Sequence, residues 1–364
     1  MKIALVADVH IGNHKKFFGT DKASINTRCQ ITLDTLDYAL DAALRAKCCA
    51  FYVLGDLFDT SKPEPQILKA TQEIFAKYKE QMNIYLLIGN HDMRSQLVGD
   101  HALGPLSPCI KGVIETPTSH IYESVELISV PFKTGSATDW LTAGIASLYR
   151  SNPSETRILL THTGIVIGRT PFWLKKSKNA IVYDTFTEVL NKYKISFMFA
   201  GDWHFRMQED KAMQVGALCP TGFDNPGLYD NGTLVILNTN PVGFDIQDVP
   251  GPRFVVVKSL NVREEILQEL VETGYSVFLK LAVPTAVHDE ARTVVDSLIK
   301  RKLIVNGEVD TSKEIEVEEA RLARTDLRAV NTIPEQISAY VSMMHVNPMV
   351  KKENVIARVT EYLK

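Results

Sequence analysis

Short apolar runs alternate with amphipathic runs along the first two-thirds of the chain. The apolar runs predict buried strands, and in chain order they are KIALVAD, CAFYVLGD, IYLLIGNHD, VELISVPF, RILLTHT, ISFMFAGDWH, AMQVGAL and GTLVILN. Amphipathic spacing predicts one helix from Ile31 to Lys47 and another from Pro65 to Lys79, with Pro65 tolerated in its first turn. Strands that are buried on both faces and separated by helices predict an α/β fold with a layered sheet.

The pattern changes around Pro250 to Pro252, where a smaller α+β unit is predicted to begin. Its strands and helices follow in the order RFVVVKSL, VREEILQELVETG, YSVFLKLAV, AVHDEARTVVDSLIKR and EIEVEEARLA. Beyond Arg328, the sequence predicts two short amphipathic helices that Asn347-Pro348 separates. We therefore predict three parts, namely residues 1–250, 251–328 and 329–364.

The composition is that of a globular protein. The chain has 364 residues, of which 45% are hydrophobic and 23% charged, so it can build two or three domains. A net charge of -3 argues against a protein that is basic all over, although a local basic patch still allows nucleic acid as a substrate. Because no cysteine pattern, signal peptide or span of roughly 20 apolar residues is present, we expect a protein of a reducing cytoplasm with no membrane part.

Metal-binding side chains follow five of the predicted strands. Ligands of open α/β sheets bind just beyond the carboxyl ends of the strands, so we expect these side chains to meet at one edge of one sheet. In chain order they are Asp8, His10, Asp56, Asp59, Asn90, His91, Asp92, His162, Asp202 and His204. Each short motif alone is also typical of a turn or a core histidine, but such an ordered series favours a site. The remaining histidines, including His14, are expected on the surface or in packing.

These residue types fit a centre that holds two divalent cations. Anionic oxygens offset the charge, and neutral imidazoles each offer one ring nitrogen. One carboxylate with two oxygens can touch both cations. Cations about 3.5–4 Å apart activate water and stabilise an in-line phosphoryl displacement. The sequence therefore predicts a phosphoesterase.

The motifs DVH, LGDLFDT, GNHD, THT and GDWH together resemble the calcineurin-like metallophosphoesterase superfamily. GDLFDT and the later VGALCPTGFDN also resemble the SbcD-type nuclease subunits of double-strand-break repair complexes, including phage recombination nucleases. The resemblance covers Met1 to Pro226 by motif and the following unit only by its order of elements. It implies a layered metallophosphoesterase β-sandwich flanked by helices, with residues 251–328 as a DNA-binding cap domain.

The resemblance also implies which residues hold each metal. One metal would be bound by Asp8, His10, Asp56 and His204. Asp56 would bridge to a second metal, which Asn90, His162 and Asp202 would also bind. Asp202 stands where the family usually has His, and its hard oxygen favours manganese or magnesium over zinc. We expect Mn²⁺ at both positions, with Mg²⁺ as the alternative.

The resemblance implies that His91 acts in catalysis rather than as a ligand. It would protonate the leaving oxygen of the scissile ester or stabilise its charge, since imidazole exchanges a proton near neutral pH. Asp92 is expected to orient the surrounding loop by hydrogen bonding. Asp59 either caps the helix that follows or orients a metal ligand.

Two groups of basic residues are candidates for DNA contact. Lys15 and Lys16 directly follow the first motif. The segment FWLKKSKN contributes Trp173, Lys175, Lys176 and Lys178, although it is equally typical of a solvated loop. Lysines would neutralise backbone phosphates, and the Trp ring would stack on an unpaired base.

The C-terminal helices carry an apolar stripe of Ile337, Tyr340, Val341 and Met344, which is either core or a docking face. The resemblance implies that this region docks on the coiled coil of an SbcC-type ATPase. It also implies a homodimer within a heterotetramer, in the bacterial cytoplasm and of host or phage origin.

The sequence as a whole predicts a two-metal DNA exonuclease and endonuclease subunit that acts in recombination, repair or replication. One alternative is a stand-alone metallophosphoesterase that acts on nucleotides or phosphoproteins. The other is a non-enzymatic scaffold whose metal site has decayed at Asp202.

Overall fold

The computed structural model describes residues 1–16, 21–22, 25–149, 156–168, 170, 177, 179–223 and 232–311. The predicted strand EIEVEEARLA and the two C-terminal helices lie outside the described residues, as do Trp173, Lys175, Lys176 and Lys178.

The α-helices of the described residues are α1 (Thr27–Arg45), α2 (Pro65–Tyr78), α3 (Ala137–Leu148), α4 (Tyr183–Lys192), α5 (Glu264–Glu272) and α6 (His288–Lys300). Short 3₁₀ helices span Gly104–Cys109 and Thr285–Val287. Helix α1 begins before the predicted Ile31 because the Asn26 side chain accepts a hydrogen bond from the Cys29 N–H and caps it. Pro65 lies in the first turn of α2, as predicted.

The strands of the described residues are, in chain order, β1 (Lys2–Val6), β2 (Asp21–Lys22), β3 (Ile25–Asn26), β4 (Ala50–Leu54), β5 (Asn83–Leu87), β6 (Gly112–Ile114), β7 (Thr118–Tyr122), β8 (Val125–Val130), β9 (Thr156–His162), β10 (Gly164–Val166), β11 (Ala180–Val182), β12 (Ile195–Gly201), β13 (Met207–Glu209), β14 (Ala212–Gln214), β15 (Gly232–Thr239), β16 (Val242–Val249), β17 (Pro252–Val257), β18 (Ser276–Ala282) and β19 (Asn306–Asp310).

Two six-stranded sheets pack against each other and form the larger part of the described fold. The first has the strand order β16-β15-β1-β4-β5-β6, and the second has the order β13-β14-β12-β9-β8-β7. Strands β1, β4 and β5 run parallel in the first sheet, as do β8, β9 and β12 in the second. This is the predicted α/β sandwich flanked by helices.

The motif strands do not all belong to one sheet, so that prediction is wrong. Strands β1, β4 and β5 lie in the first sheet, whereas β9 and β12 lie in the second. The hydrophobic pattern could not separate them, because the strands of both sheets are buried on both faces. The carboxyl ends of these five strands still meet, since the two sheets pack together there.

Alternating side chains of each central strand serve two different cores. On β1, Ile3 and Leu5 face the second sheet, whereas Ala4 and Val6 face the helices. Helices α1 and α2 cover the outer face of the first sheet, and α3 and α4 cover the second. Full burial of each large aliphatic side chain contributes roughly 1.5–3 kcal/mol, so both layers hold the strand ends firmly.

A smaller parallel sheet follows, in the order β17-β18-β19, with α5 and α6 packed on it. Its core is separate from the larger ones and includes Leu267, Leu279, Val295 and Leu298. The unit lies inside the predicted cap domain, residues 251–328, whose limits stay a prediction. Within the described ranges, no helix has the length and apolar character needed to span a membrane.

Candidate metal centre

The candidate centre lies where the carboxyl ends of five strands from two sheets converge. Asp8 and His10 follow β1, Asp56 follows β4, and Asn90 and His91 follow β5. The second sheet supplies His162 from the end of β9, and Asp202 and His204 from just beyond β12. Half of these eight side chains are buried, since Asp8, His10, Asp56 and His162 are each no more than 2% exposed. Burial of so many ionisable groups is costly unless something compensates their charge.

Several of these residues have a left-handed backbone that only glycine adopts readily. The φ angles are 52° for Asp8, 53° for His10, 52° for Asp56 and 91° for Asp202. Backbone hydrogen bonds hold this conformation, since the N–H groups of Val9 and His10 both donate to the Asp56 carbonyl at 3.0 Å. Strained residues of this kind concentrate at functional sites, where the surrounding structure maintains them.

Two glycines allow the strand ends to approach closely. A Cβ atom on Gly55 would lie 2.2 Å from the Nδ1 atom of His162, and one on Gly89 would lie 2.2 Å from Oδ1 of Asp56. Any other residue at either position would displace a candidate metal ligand. Gly55 therefore allows the two sheets to approach at the centre, and Gly89 allows the ends of β4 and β5 to approach within the first sheet.

The first group of candidate ligands contains Asp8, His10 and His204, whose ligand atoms lie within 4.8 Å of one another. The Nε2 atoms of His10 and His204 face each other at 3.0 Å. The Asp8 carboxylate accepts hydrogen bonds from the Asp202 N–H at 3.1 and 3.2 Å, so this contact fixes the end of the second sheet against the first.

The second group of ligand atoms surrounds His162 Nε2. Asn90 Oδ1 lies 2.9 Å from it, Asp56 Oδ2 lies 3.3 Å away, and Asp202 Oδ1 lies 3.8 Å away. Asp56 Oδ2 is also 3.8 Å from His10 Nε2. Asp56 therefore stands between the two groups, which is the position that a bridging carboxylate requires.

A hydrogen bond to the backbone fixes the tautomer of His162. Its Nδ1–H donates to the Leu54 carbonyl at 2.7 Å, which leaves Nε2 as the atom that faces Asn90 and Asp56. Metal-binding histidines commonly hold their orientation by such a hydrogen bond. The atoms around Nε2 are acceptors, so the arrangement requires a cation, which is either a proton or a metal ion.

The pKa shifts reflect the same crowding of charge. Burial raises the pKa of Asp8 to about 7. Burial opposes ionisation of Asp56, but the nearby His162 holds the pKa of the Asp56 carboxyl below its usual range. Burial lowers the pKa of His162, but the carboxylates, Asp56 first, raise it well above the ordinary value. Burial and the neighbouring His10 lower the pKa of His204 to about 3, so its imidazole is neutral.

The donor set fits divalent cations on two observations. The ligand atoms are carboxylate and amide oxygens together with ring nitrogens, a set that manganese accepts. In addition, His10 Nδ1 is buried without a hydrogen-bond partner and lies 3.6 Å from Asp59 Oδ1. The Asp59 carboxylate thus lies behind this ring nitrogen, which is close to the carboxylate–histidine arrangement found behind metal ligands.

Asp59 does not cap the following helix, because Glu64 occupies the N-cap position of α2. Asp59 instead lies between two imidazoles, with Oδ1 3.6 Å from His10 Nδ1 and Oδ2 3.7 Å from His14 Nδ1. Of the two roles predicted for Asp59, helix capping is therefore excluded, and the orientation of a metal ligand fits its position.

His14 lies directly behind the centre and is not a surface residue. Its Nε2–H donates to the His10 carbonyl at 3.1 Å, and its side chain is 12% exposed. Burial, followed by the charge of Arg28, lowers the pKa of His14 to about 4. No sequence pattern indicates this position, because no strand directly precedes His14.

His91 and Asp92 differ sharply in exposure. Asp92 is fully buried and accepts hydrogen bonds from the N–H groups of Asp56, Phe58 and Gly89 at 3.0–3.2 Å, so it joins the ends of β4 and β5. His91 is exposed at the rim, and its Nδ1–H donates to the Asp59 carbonyl at 2.8 Å. One ligand atom of His91 also lies within 4.8 Å of ligand atoms of His10 and Asp56, so its ring borders the candidate centre from the exposed side.

Of the predicted DNA contacts, only Lys15 and Lys16 are among the described residues. Both are exposed beyond the first motif. Their contact with DNA stays a prediction, as do the roles assigned to the individual site residues.

Residues 1–206 match the model of a family described as calcineurin-like phosphoesterase. The match spans more than half of the chain and includes every motif residue from Asp8 to His204. No curated protein matches the chain.

Several solved structures resemble the chain at low identity. Protein TT1561 of Thermus thermophilus is 10% identical, with 68% of this chain and 98% of that chain covered and a TM-score of 0.43. A dimetal phosphatase from Danio rerio is 11% identical, with coverages of 68% and 96% and a TM-score of 0.45. The nuclease MPE from Pseudomonas putida is 21% identical, with coverages of 45% and 63% and a TM-score of 0.24.

Proposed function

The chain belongs to the calcineurin-like phosphoesterase family, and we propose that it is a two-metal DNA nuclease of the SbcD type. The observation that carries the proposal is a buried set of ligands from two sheets with one exposed imidazole, His91, at its rim. The SbcD-like motifs and the added cap unit support DNA as the substrate.

Two sets of residues would hold the cations. Asp8, His10 and His204 would bind one, and Asn90, His162 and Asp202 would bind the other, with Asp56 shared between them. Two bound divalent cations supply an activated water molecule and stabilisation of the charge on the phosphate. We favour Mn²⁺ over Mg²⁺ because nitrogen and oxygen ligands are mixed.

In this proposal His91 acts on the leaving group. The hydrogen bond from its Nδ1 to the Asp59 carbonyl sets the ring orientation and leaves Nε2 toward the open side. There it donates a proton to the leaving oxygen of the phosphodiester. General acids of this type contribute roughly 10²–10⁴-fold to a reaction rate.

Recognition of DNA would rest on charge outside the centre. Lys15 and Lys16 are exposed beyond His10, and Arg94 is exposed near His91, where its Nε–H donates to the Ser61 carbonyl at 3.0 Å. Cations along such a rim neutralise backbone phosphates without reading the sequence, so binding weakens as salt increases. In this proposal residues 1–250 form the nuclease domain and 251–328 the cap.

Residues 329–364 would provide the docking region for a coiled-coil ATPase, in an assembly that contains two copies of each subunit. This part of the proposal rests on the sequence resemblance alone. A pull-down of the ATPase by the full chain tests this docking separately from catalysis. The Ile337→Asp variant serves as the comparison.

The test of the proposed function compares three substrates with Mn²⁺ present, namely linear duplex DNA, a chromogenic phosphodiester and a phosphoprotein. We expect cleavage of DNA, and a loss of at least about 100-fold in the His91→Ala variant, which removes the proton donor. His288→Ala removes an exposed histidine of the cap and serves as the matched control.

Turnover of only the small ester or the phosphoprotein, with the ATPase also present, would contradict the nuclease assignment and favour a stand-alone phosphoesterase. DNA binding without any cleavage would favour a scaffold. Full cleavage by His91→Ala would remove the role assigned to His91 while leaving the nuclease assignment intact.

A further inference from the structure

Arg28, near the start of α1, is a buried cation with an unusual set of neighbours. Arg28 is only 4% exposed. Burial lowers the pKa of its guanidinium to about 10, so the group remains charged at neutral pH. Within the described part of the chain, no carboxylate forms an ion pair with it. A buried charge without such a partner is destabilising unless its hydrogen bonds are well satisfied.

The Arg28 guanidinium joins three segments that are distant in sequence. Its Nη1–H donates to the Lys16 carbonyl at 2.8 Å, and its Nη2–H donates to the Thr221 carbonyl. Its Cζ atom lies 5.3 Å from the centre of the Phe254 ring. A planar guanidinium can donate in two directions and stack on an aromatic face, which a lysine ammonium cannot do.

Two of these segments come directly from the metal centre. Lys16 lies six residues after His10, and Thr221 follows the segment that begins at Asp202 and His204. Arg28 therefore ties the segment that follows β1 of the first sheet to the segment that follows β14 of the second.

The third segment belongs to the cap unit. Phe254 lies in β17, stacks on Phe278 of β18 with ring centres 4.9 Å apart, and meets the edge of Phe223 at 5.1 Å. Close packing of α1 against the start of the cap supports the same junction, because a Cβ atom on Gly251 would lie 2.7 Å from Thr35 Oγ1. Arg28 thus contacts β17, an edge strand of the cap sheet, through one aromatic ring, and that ring in turn stacks on the central strand β18.

We propose that Arg28 is a positioning residue that fixes the cap relative to the metal centre and thereby aligns DNA, but not small esters, for cleavage. The inference rests on the proposed function, because a cap matters only for a substrate that extends beyond the metals. Arg28 acts through Phe254 and the two carbonyl groups and does not touch the reacting atoms.

The experiment measures steady-state cleavage of duplex DNA and of a chromogenic phosphodiester by the full chain with Mn²⁺. We expect Arg28→Lys to raise KM for DNA by roughly tenfold, while kcat/KM for the small ester stays within about twofold, since misplacement of a substrate is costly only where alignment is needed. Phe254→Leu, which changes the junction from the cap side, should give the same separation.

Arg45→Lys is the matched control. Arg45 lies on the same helix, with its Cζ 5.7 Å from the ring centre of Tyr38, but it is exposed and its ion pair is with Asp41 of that helix rather than with the cap. Hydrogen exchange provides a second readout that needs no substrate. Arg28→Lys should accelerate exchange in β17 and β18 and leave β1 and β4 unchanged, because the cap has its own core.

Three outcomes would overturn the inference. These are equal losses on both substrates, no change on either, or a separation that Arg45→Lys reproduces. A wild-type protein that cleaves the ester but not DNA contradicts the proposed function itself. A wild-type protein that cleaves DNA, with an Arg28 variant that behaves like it, contradicts only the role of Arg28.

Discussion

Asp202 is a candidate ligand of the second group, at a position where the sequence resemblance led us to expect His. Its Oδ1 lies 3.8 Å from His162 Nε2, on the side of the second group of ligands. Its side chain is only 17% exposed, and this burial raises the pKa of the Asp202 carboxyl group. An additional carboxylate there increases the negative charge around the second cation.

We predict that Asp202→Ala weakens binding of one Mn²⁺ by roughly tenfold and leaves the other unchanged, because a single ligand is lost from one group. Asp202→His should keep activity and shift preference toward zinc, since nitrogen replaces a hard oxygen. Isothermal titration of the metal-stripped protein with Mn²⁺ and Zn²⁺ measures both effects.

Asp210→Ala is the control for this pair, because Asp210 is an exposed acid in the turn between β13 and β14. Metal titrations of Asp202→Ala that match those of the wild type would mean that Asp202 is not a ligand.

Prediction at the residue scale succeeds where a residue type and its place in a motif determine its position. Asp8, His10, Asp56, His162 and His204 meet in the structure because each follows a buried strand. The surroundings of these residues are not encoded locally. Arg28 and Thr221 lie 193 positions apart, and no spacing in the sequence indicates that they touch.

Elements with strong hydrophobic patterns were predictable, and half-exposed ones were not. Strands β1, β4 and β12 were predicted because they are buried on both faces, whereas β16 has mostly exposed side chains as an edge strand and gave no signal. Strand β19 was missed because Asn-Gly and acidic residues dominate it. Hydrophobic periodicity does not report how two sheets pack, so it could not assign the strands to separate sheets.

The end of β4 provides a prediction at the element scale. Gly55 has a φ of 90°, and a Cβ atom there would lie 2.2 Å from His162 Nδ1 at the end of β9. We predict that Gly55→Ala displaces the His162 ring, breaks its hydrogen bond to the Leu54 carbonyl and weakens Mn²⁺ binding as well as stability. Urea unfolding and Mn²⁺ titration measure the two losses.

Gly99→Ala is the control that separates the steric clash of an added Cβ atom from the strain of a left-handed backbone. Gly99 has a φ of 86°, but no atom lies within 4 Å of its added Cβ, so only the strain of about 1–2 kcal/mol applies. If both variants lose the same stability and bind Mn²⁺ equally well, the close approach of β4 and β9 does not determine the geometry of the centre.

At the scale of the whole molecule, the centre lies where two sheets meet that share one core and that each have a further core with their own helices. Helices α1 and α2 complete one layer, α3 and α4 complete the other, and the candidate ligands come from both. The described part of the cap has a further core with no candidate ligand in it. Bound cations should therefore stabilise the two-sheet domain directly and the cap only through its junction.

We predict that Mn²⁺ at about 100 times its Kd stabilises the two-sheet domain by about 2.7 kcal/mol, because it binds the folded chain and not the unfolded one. For a domain of this size the gain corresponds to a rise of roughly 5–10 °C in Tm. Calorimetry with and without Mn²⁺ measures it, and each variant serves as its own metal-free reference.

Asp56→Asn should abolish the rise, whereas Asp248→Asn, at an exposed acid of β16, should retain it. The rise should also shrink as pH falls below about 7, because the Asp8 carboxyl, whose pKa is raised to about 7, then holds a proton that the metal must displace. A full rise in Asp56→Asn, or a rise that does not change with pH, would place the bound metal outside this centre.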